Sequence, residues 1–126
     1  MAEKKKILVV DDEAALRRAL CDSLGAIGTY TVMEAGDGEA ALEIVRNEHP
    51  DLILLDIAMP KMDGIEMARR MQAEKLLDKT KVIFLTNSTD ITQIATAVEV
   101  GSSDYLIKAD WDIQDILRRV LEKLEA

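Results

Sequence analysis

Four short apolar runs in this 126-residue chain each end in a polar residue suited to phosphoryl chemistry. Ile7-Leu8-Val9-Val10 leads into Asp11-Asp12, and Leu52-Ile53-Leu54-Leu55 into Asp56. Val82-Ile83-Phe84-Leu85 leads into Thr86, and Tyr105-Leu106-Ile107 into Lys108. Runs of this length read as strands buried on both faces of a parallel sheet. Ligands of open α/β sheets bind at the carboxyl ends of the strands. The four ends therefore predict one crevice that gathers three carboxylates, a hydroxyl and an ammonium.

Asp11, Asp12 and Asp56 would be like charges a few ångströms apart, which is unfavourable unless a proton or a cation intervenes. Mg²⁺ suits them best, since it prefers hard oxygen ligands and keeps several waters. Ca²⁺ suits them less, for want of a ligand-rich loop, and Zn²⁺ lacks a Cys or a second His. A carboxylate at Asp56 can act as a nucleophile toward phosphorus. Lys108 would add positive charge and Thr86 a hydroxyl donor, and positioning plus charge stabilisation is most of what phosphoryl transfer asks of a protein. Taken singly, each residue has a plainer reading: an Asp after a strand as a helix cap or turn residue, Lys108 as a solvated charge, Thr86 as a strand-end residue.

These residues need a scaffold of alternating strands and helices, and the pattern supplies one. After the first strand, Leu16, Ala19, Leu20, Ser23, Leu24 and Ile27 keep helical spacing, with Gly25 and Gly28 as the stop. Tyr30 to Ala35 reads as a strand, Gly36-Asp37-Gly38 as a turn, and Glu39 to Asn47 as a helix stopped by His49-Pro50. A Pro- and Gly-bearing loop runs from Ile57 to Gly64, then a helix from about Ile65 to Leu76. A fourth helix is predicted over about Asp90 to Val100, capped by Gly101, and a fifth strand runs to Lys108. The last helix carries Ile113, Ile116, Leu117, Val120, Leu121 and Leu124 on one stripe. Five βα units in succession predict a parallel sheet between two helix layers, joined by right-handed crossovers.

The length suits one domain, and 48% apolar residues suffice for a core. A net charge of -8 argues against direct nucleic-acid binding through a basic face, which would need clustered Lys and Arg. No apolar run reaches the roughly 20 residues needed to span a membrane, and no signal-peptide pattern is present. The cytoplasm is the expected compartment. Cys21, the single cysteine, is expected to be a buried structural thiol. His49 stands beside Pro50 in a loop and reads as a surface residue, so the chain would receive phosphoryl groups and not donate them from histidine. Trp111 is expected to open the last helix, where it packs beneath the helix start or, alternatively, contacts a partner.

The motifs Val9-Val10-Asp11-Asp12-Glu13, Leu54-Leu55-Asp56 with Met59-Pro60 and Met62-Asp63-Gly64, Leu85-Thr86, and Gly101 with Asp104-Tyr105-Leu106-Ile107-Lys108 resemble the receiver domain of bacterial two-component response regulators. The resemblance spans essentially residues 1–126 as one domain. It implies a flavodoxin-like doubly wound sheet of order 2-1-3-4-5 with five helices on two faces. It implies that Asp56 is the phosphoacceptor. Asp12 and Asp56 would ligate Mg²⁺ (or Mn²⁺) directly, with the backbone carbonyl of Ala58, and Asp11 would act through a water. Lys108 would pair with Asp56 or the phosphoryl group, and Thr86 and Tyr105 would be the switch pair. The implied partners are a sensor histidine kinase or histidine phosphotransfer protein and a downstream protein effector. A homodimer through the face of the fourth helix, fifth strand and last helix is a further possibility, and the chain would catalyse only its own phosphorylation and autodephosphorylation.

Two positions depart from the family pattern. Ala109 follows Lys108 where the family usually has proline and a cis peptide. A cis bond without proline costs about 2.5–4 kcal/mol, so this peptide is expected to be trans, or cis under strain. Asn87 follows Thr86 where the family favours a small residue, which predicts a narrower phosphoryl site and altered rates. Ala58 and Ser88 stand where the family tunes phosphoryl lifetime, and neither offers a base or an amide to attacking water.

Rival readings are weaker. A phosphatase of the haloacid-dehalogenase type needs a second Asp two residues after the nucleophile, where this chain has Ala58. A nucleotide or flavin binder needs a Gly-rich phosphate loop after the first strand, where this chain has Asp12-Glu13. A degenerate receiver used only for protein binding would not need all five site residues. A stand-alone receiver is expected from the last helix finishing by Ala126, with an excised domain of a transcription factor or hybrid kinase as the alternative.

Overall fold

The computed structural model describes residues 4–87, 96 and 104–125. Five parallel strands, β1 (Lys5–Val10), β2 (Tyr30–Ala35), β3 (Leu52–Asp56), β4 (Lys81–Thr86) and β5 (Asp104–Ile107), form one sheet in the order β2-β1-β3-β4-β5. This is the expected doubly wound, flavodoxin-like arrangement. Four α-helices stand among the described residues: α1 (Ala14–Ala26), α2 (Gly38–Glu48), α3 (Gly64–Ala73) and the C-terminal helix (Ile113–Glu125). The predicted helix over 90–100, its Gly101 cap and Ser88 lie outside the described residues, apart from Thr96, which is helical.

The period-two alternation of the strands divides the core. Leu8, Val10, Ile53, Leu55, Val82 and Phe84 pack on one face with Leu42, Val45, Met67 and Met71 of α2 and α3. Ile7, Val9, Leu52, Leu54, Ile83 and Leu85 pack on the other with Leu20 and Leu24 of α1 and Ile116, Val120 and Leu124 of the C-terminal helix. Burial on both faces holds for β1 beyond its first two residues, for β3, and for β4 beyond Lys81. It fails at the edge strands: β2 is only partly buried before Ala35, and Tyr105 of β5 is 40% exposed. An edge strand has a neighbour on one side only, so part of its surface stays open.

Several boundaries differ from the sequence reading. Gly25 continues α1, and the chain turns at Gly28, whose φ of +84° suits glycine. Helix α2 begins at Gly38, where Asp37 caps it through Ala40 N–H, and ends at His49 in the left-handed region. Helix α3 stops at Ala73, short of Leu76, and a 3₁₀ turn covers Leu76–Asp78. Strand β5 stops at Ile107, and Lys108 opens a 3₁₀ turn, Lys108–Asp110. Trp111 does not open the C-terminal helix but precedes it by two residues, and it is 38% exposed beside the first turns of that helix. Cys21 is half-buried at the edge of the core, and burial pushes its thiol up to about 11.

Lysines at the strand starts hold the end of the C-terminal helix. Lys5 Nζ donates to the Leu124 carbonyl at 2.7 Å and Lys81 Nζ to the Lys123 carbonyl at 2.6 Å. Both satisfy carbonyls that the helix end leaves without an intrahelical partner. At the start of β5, buried Asp104 takes Lys123 Nζ at 2.7 Å and a hydrogen bond from Arg119. Burial alone would raise the Asp104 carboxyl, but the two cations outweigh it and hold it below the usual carboxylate range. A lowered folded value contributes stability above the unfolded value and loses it as the pH falls through the folded one. Asp104→Asn is expected to cost about 1–2 kcal/mol at neutral pH and less near pH 3, read from urea unfolding at both.

Candidate functional site

Strand register sets the site. Val10 pairs with Leu55, so Asp11 and Asp56 leave the sheet side by side. Leu85 pairs with Leu106 and Thr86 with Ile107, so Lys108 leaves next to the Thr86 end. One oxygen from each of Asp11, Asp12 and Asp56 lies within 4.8 Å of the others. Asp11 and Asp56 are buried and Asp12 is exposed. Lys108 Nζ stands 2.9 Å from Asp11 Oδ2 and 3.6 Å from Asp56 Oδ2. Asp11, not Asp56, is thus its nearer partner. The Lys108–Ala109 peptide is trans, as are all peptides among the described residues.

Burial, and then the charge of Asp11, push the Asp56 carboxyl up to about 7, against the lowering by Lys108. Burial alone would lower the Lys108 ammonium, but Asp11, Asp56 and Glu13 outweigh it and hold it above its ordinary value. One ammonium does not balance this much negative charge. A cluster of hard oxygen donors with uncompensated charge fits a divalent cation of the Mg²⁺ type.

The other expected residues divide. Thr86 is fully buried at the end of β4. Phe84 pairs with Tyr105 and Thr86 with Ile107, so Thr86 and Tyr105 lie diagonally on one sheet face, with Tyr105 exposed. Ala58 is exposed in the loop after β3. That loop is fixed by Gly64 N–H to the Ile57 carbonyl at 2.9 Å and by buried Met59 and Met62. Asn87 is exposed, and its Nδ2 donates to Glu13 Oε1 at 3.4 Å.

Arg17 and Glu34 carried no site role in the sequence, and Glu13 entered only within the motif after the first strand. Arg17 donates to the Asp11 carbonyl at 2.7 Å and to Glu34 Oε1 at 2.9 Å, pinning the end of β1 from α1. Glu13 reaches Lys108 Nζ at 3.6 Å. The signal for Arg17 and Glu34 was only a charge on a helix face and another on an edge strand, which the sequence alone does not pair.

The sequence profile of the response regulator receiver domain matches residues 7–121. The ycf27 protein of Porphyridium aerugineum, named as a transcriptional regulator, is 41% identical over 124 residues, 94% of this chain and 50% of that protein. The alkaline phosphatase synthesis transcriptional regulatory protein PhoP of Bacillus subtilis is 40% identical over 104 residues, 82% of this chain and 42% of that protein. The chain thus spans about half the length of the curated relatives it matches. Among solved structures, the receiver domain of Francisella response regulator 1452 superposes with a TM-score of 0.86 at 26% identity, covering 97% of this chain and 98% of that one. The Vibrio cholerae chemotaxis protein CheY4 superposes at 0.85 and 27%, covering 94% and 98%. With the sheet order, the acidic cluster and these relatives in agreement, the chain belongs to the response regulator receiver domain family of two-component systems.

Proposed function

We propose that this domain is a phosphorylation switch in which Asp56 takes a phosphoryl group from a sensor histidine kinase or a histidine phosphotransfer protein. The observation that carries this is the buried Asp56 carboxylate, clustered within 4.8 Å with Asp11 and Asp12 and 3.6 Å from the Lys108 ammonium. Asp12 and Asp56 would hold Mg²⁺ or Mn²⁺ directly, with the Ala58 carbonyl, and Asp11 through a water. The cation supplies charge neutralisation at the phosphoryl oxygens when bound. An Asp56 oxygen forms its bond to phosphorus as the bond from phosphorus to the donor nitrogen breaks, and the nitrogen keeps the electron pair. Lys108 moves from Asp11 onto a phosphoryl oxygen, and the Thr86 hydroxyl donates to another.

Tyr105 then turns inward behind Thr86, and the altered face of β5 and the C-terminal helix meets a downstream protein effector or a second copy. The domain catalyses only its own phosphorylation and slow autodephosphorylation, for which Ala58 and Ser88 supply neither a base nor an amide, while Asn87 narrows access to the phosphoryl site. A cytoplasmic place suits this role, and no helix among the described residues is long and apolar enough to cross a membrane. The test is intact-protein mass after incubation with a small acyl phosphate and Mg²⁺, beside Asp56→Asn and a chelated control. One phosphoryl group per chain, absent from both controls, is expected. No adduct under any condition would favour a degenerate receiver that binds protein partners without phosphorylation.

A further inference from the structure

We propose that Glu13 is a built-in rival of the incoming phosphoryl group for Lys108, held in place by Asn87. The inference rests on Asp56 being the phosphoacceptor and adds a positioning residue that sets how readily an anionic donor reaches it. Among the described residues, three carboxylates approach the Lys108 ammonium: Asp11 at 2.9 Å, Asp56 at 3.6 Å and Glu13 at 3.6 Å. The first two side chains are 1% and 4% exposed and take its inner side. Glu13 is 53% exposed, so its carboxylate is the partner on the solvent side, from which a donor arrives.

The same oxygen, Glu13 Oε1, accepts from Asn87 Nδ2 at 3.4 Å. One side chain thereby links the end of β1 to the end of β4 across the lysine. The Glu13 backbone is fixed by other means: its N–H donates to Asp11 Oδ1 at 2.9 Å, and its carbonyl accepts from Arg17 N–H at 2.9 Å. Its side chain makes no capping bond to α1, so its charge is not needed to close the helix start. What the charge does is occupy an ammonium that transfer requires for the phosphoryl oxygens. With Glu13 in place, two anions share one cation, and an anionic donor binds and reacts less well.

The experiment follows phosphoryl uptake by intact mass in saturating Mg²⁺, with a dianionic acyl phosphate and with the less negative phosphoramidate. Glu13→Gln is expected to be phosphorylated by the acyl phosphate roughly two- to fivefold faster than the parent at low ionic strength. Its half-saturating donor concentration falls, and the gain fades above about 0.3 M salt. The gain is smaller with phosphoramidate. Asn87→Ala moves in the same direction by less, and adds nothing in the Glu13→Gln background. A Glu13→Gln rate equal to or below that of a phosphorylated parent overturns this inference alone. So does a gain of equal size with both donors and insensitive to salt, which marks a structural effect. No adduct in parent or variant overturns the reading of Asp56 as acceptor, and this inference with it.

Discussion

Gly64→Ala is expected to lower stability by about 3 kcal/mol, the upper end of the usual cost of overpacking, because the obstacle is backbone. A Cβ at Gly64 would stand 2.2 Å from the Asp56 carbonyl oxygen and 3.0 Å from the Ile57 Cα. The two segments are also tied by Gly64 N–H to the Ile57 carbonyl at 2.9 Å, so neither can retreat without breaking that bond. Relief requires moving either the start of α3 or the end of β3, and the second carries Asp56 out of register with Asp11. In a domain of this size such a loss lowers the melting temperature by roughly 10 °C. Gly25 is the contrast: it lies inside α1, and among the described residues nothing beyond its own helix backbone comes within 4 Å of where a Cβ would stand. Gly25→Ala is expected to stabilise by about 0.5–1 kcal/mol through helix propensity. Thermal melts of the two variants side by side decide the matter, and a Gly64→Ala protein melting within a degree or two of the parent would show that the apposition at Asp56 yields freely.

That contrast shows where the sequence was informative. Met62-Asp63-Gly64 was legible as a loop and as part of a family motif, yet nothing in the string says that the glycine lies against the backbone of Asp56, eight residues earlier. Local signals did better where one residue sets one backbone choice. His49-Pro50 ended α2 as expected, whereas Asp37, legible only as a turn residue, caps its start. The strand order followed from the family pattern, and central strands were readable because burial on both faces makes them continuously apolar. Edge strands were over-read for the same reason: Tyr105-Leu106-Ile107 looks like a buried run, but its first member faces solvent. At the site, the residues at strand ends were legible because a parallel sheet sends them to one edge. The contacts among them were not. Pairing of Lys108 with Asp11 before Asp56, and the approach of Glu13 and Asn87 over it, depend on side-chain reach that spacing does not encode.

Without a divalent cation, the protein is expected to lose stability as the pH rises from about 4 to about 8, by roughly 2–4 kcal/mol. Asp56 drives the change, because burial first, then the charge of Asp11, push its carboxyl up to about 7 in the folded state. The unfolded chain releases that proton near the ordinary carboxylate value. A raised folded value means that the native state holds a proton the unfolded state has lost. The contribution is therefore complete below the unfolded value and gone once the pH passes the folded one. Lys108 and Cys21 shift above this window, and Asp104 shifts below it with the opposite sense, so none of them cancels it. Asp56→Asn removes the titrating group, so its urea stability should be nearly flat across the same range and exceed the parent's at pH 8. Mg²⁺ at about a hundred times its dissociation constant should restore roughly 2.7 kcal/mol to the parent at pH 8 and far less to Asp56→Asn. The restoration should shrink toward pH 5, because the cation must then displace a proton from Asp56 before the cluster can hold it. Urea unfolding of both proteins at three pH values, with Mg²⁺ and with chelator, checks every arm. A parent whose cation-free stability is level or rises across this range would mean that Lys108 already balances the cluster, and that Asp56 stands ionised and ready without the cation.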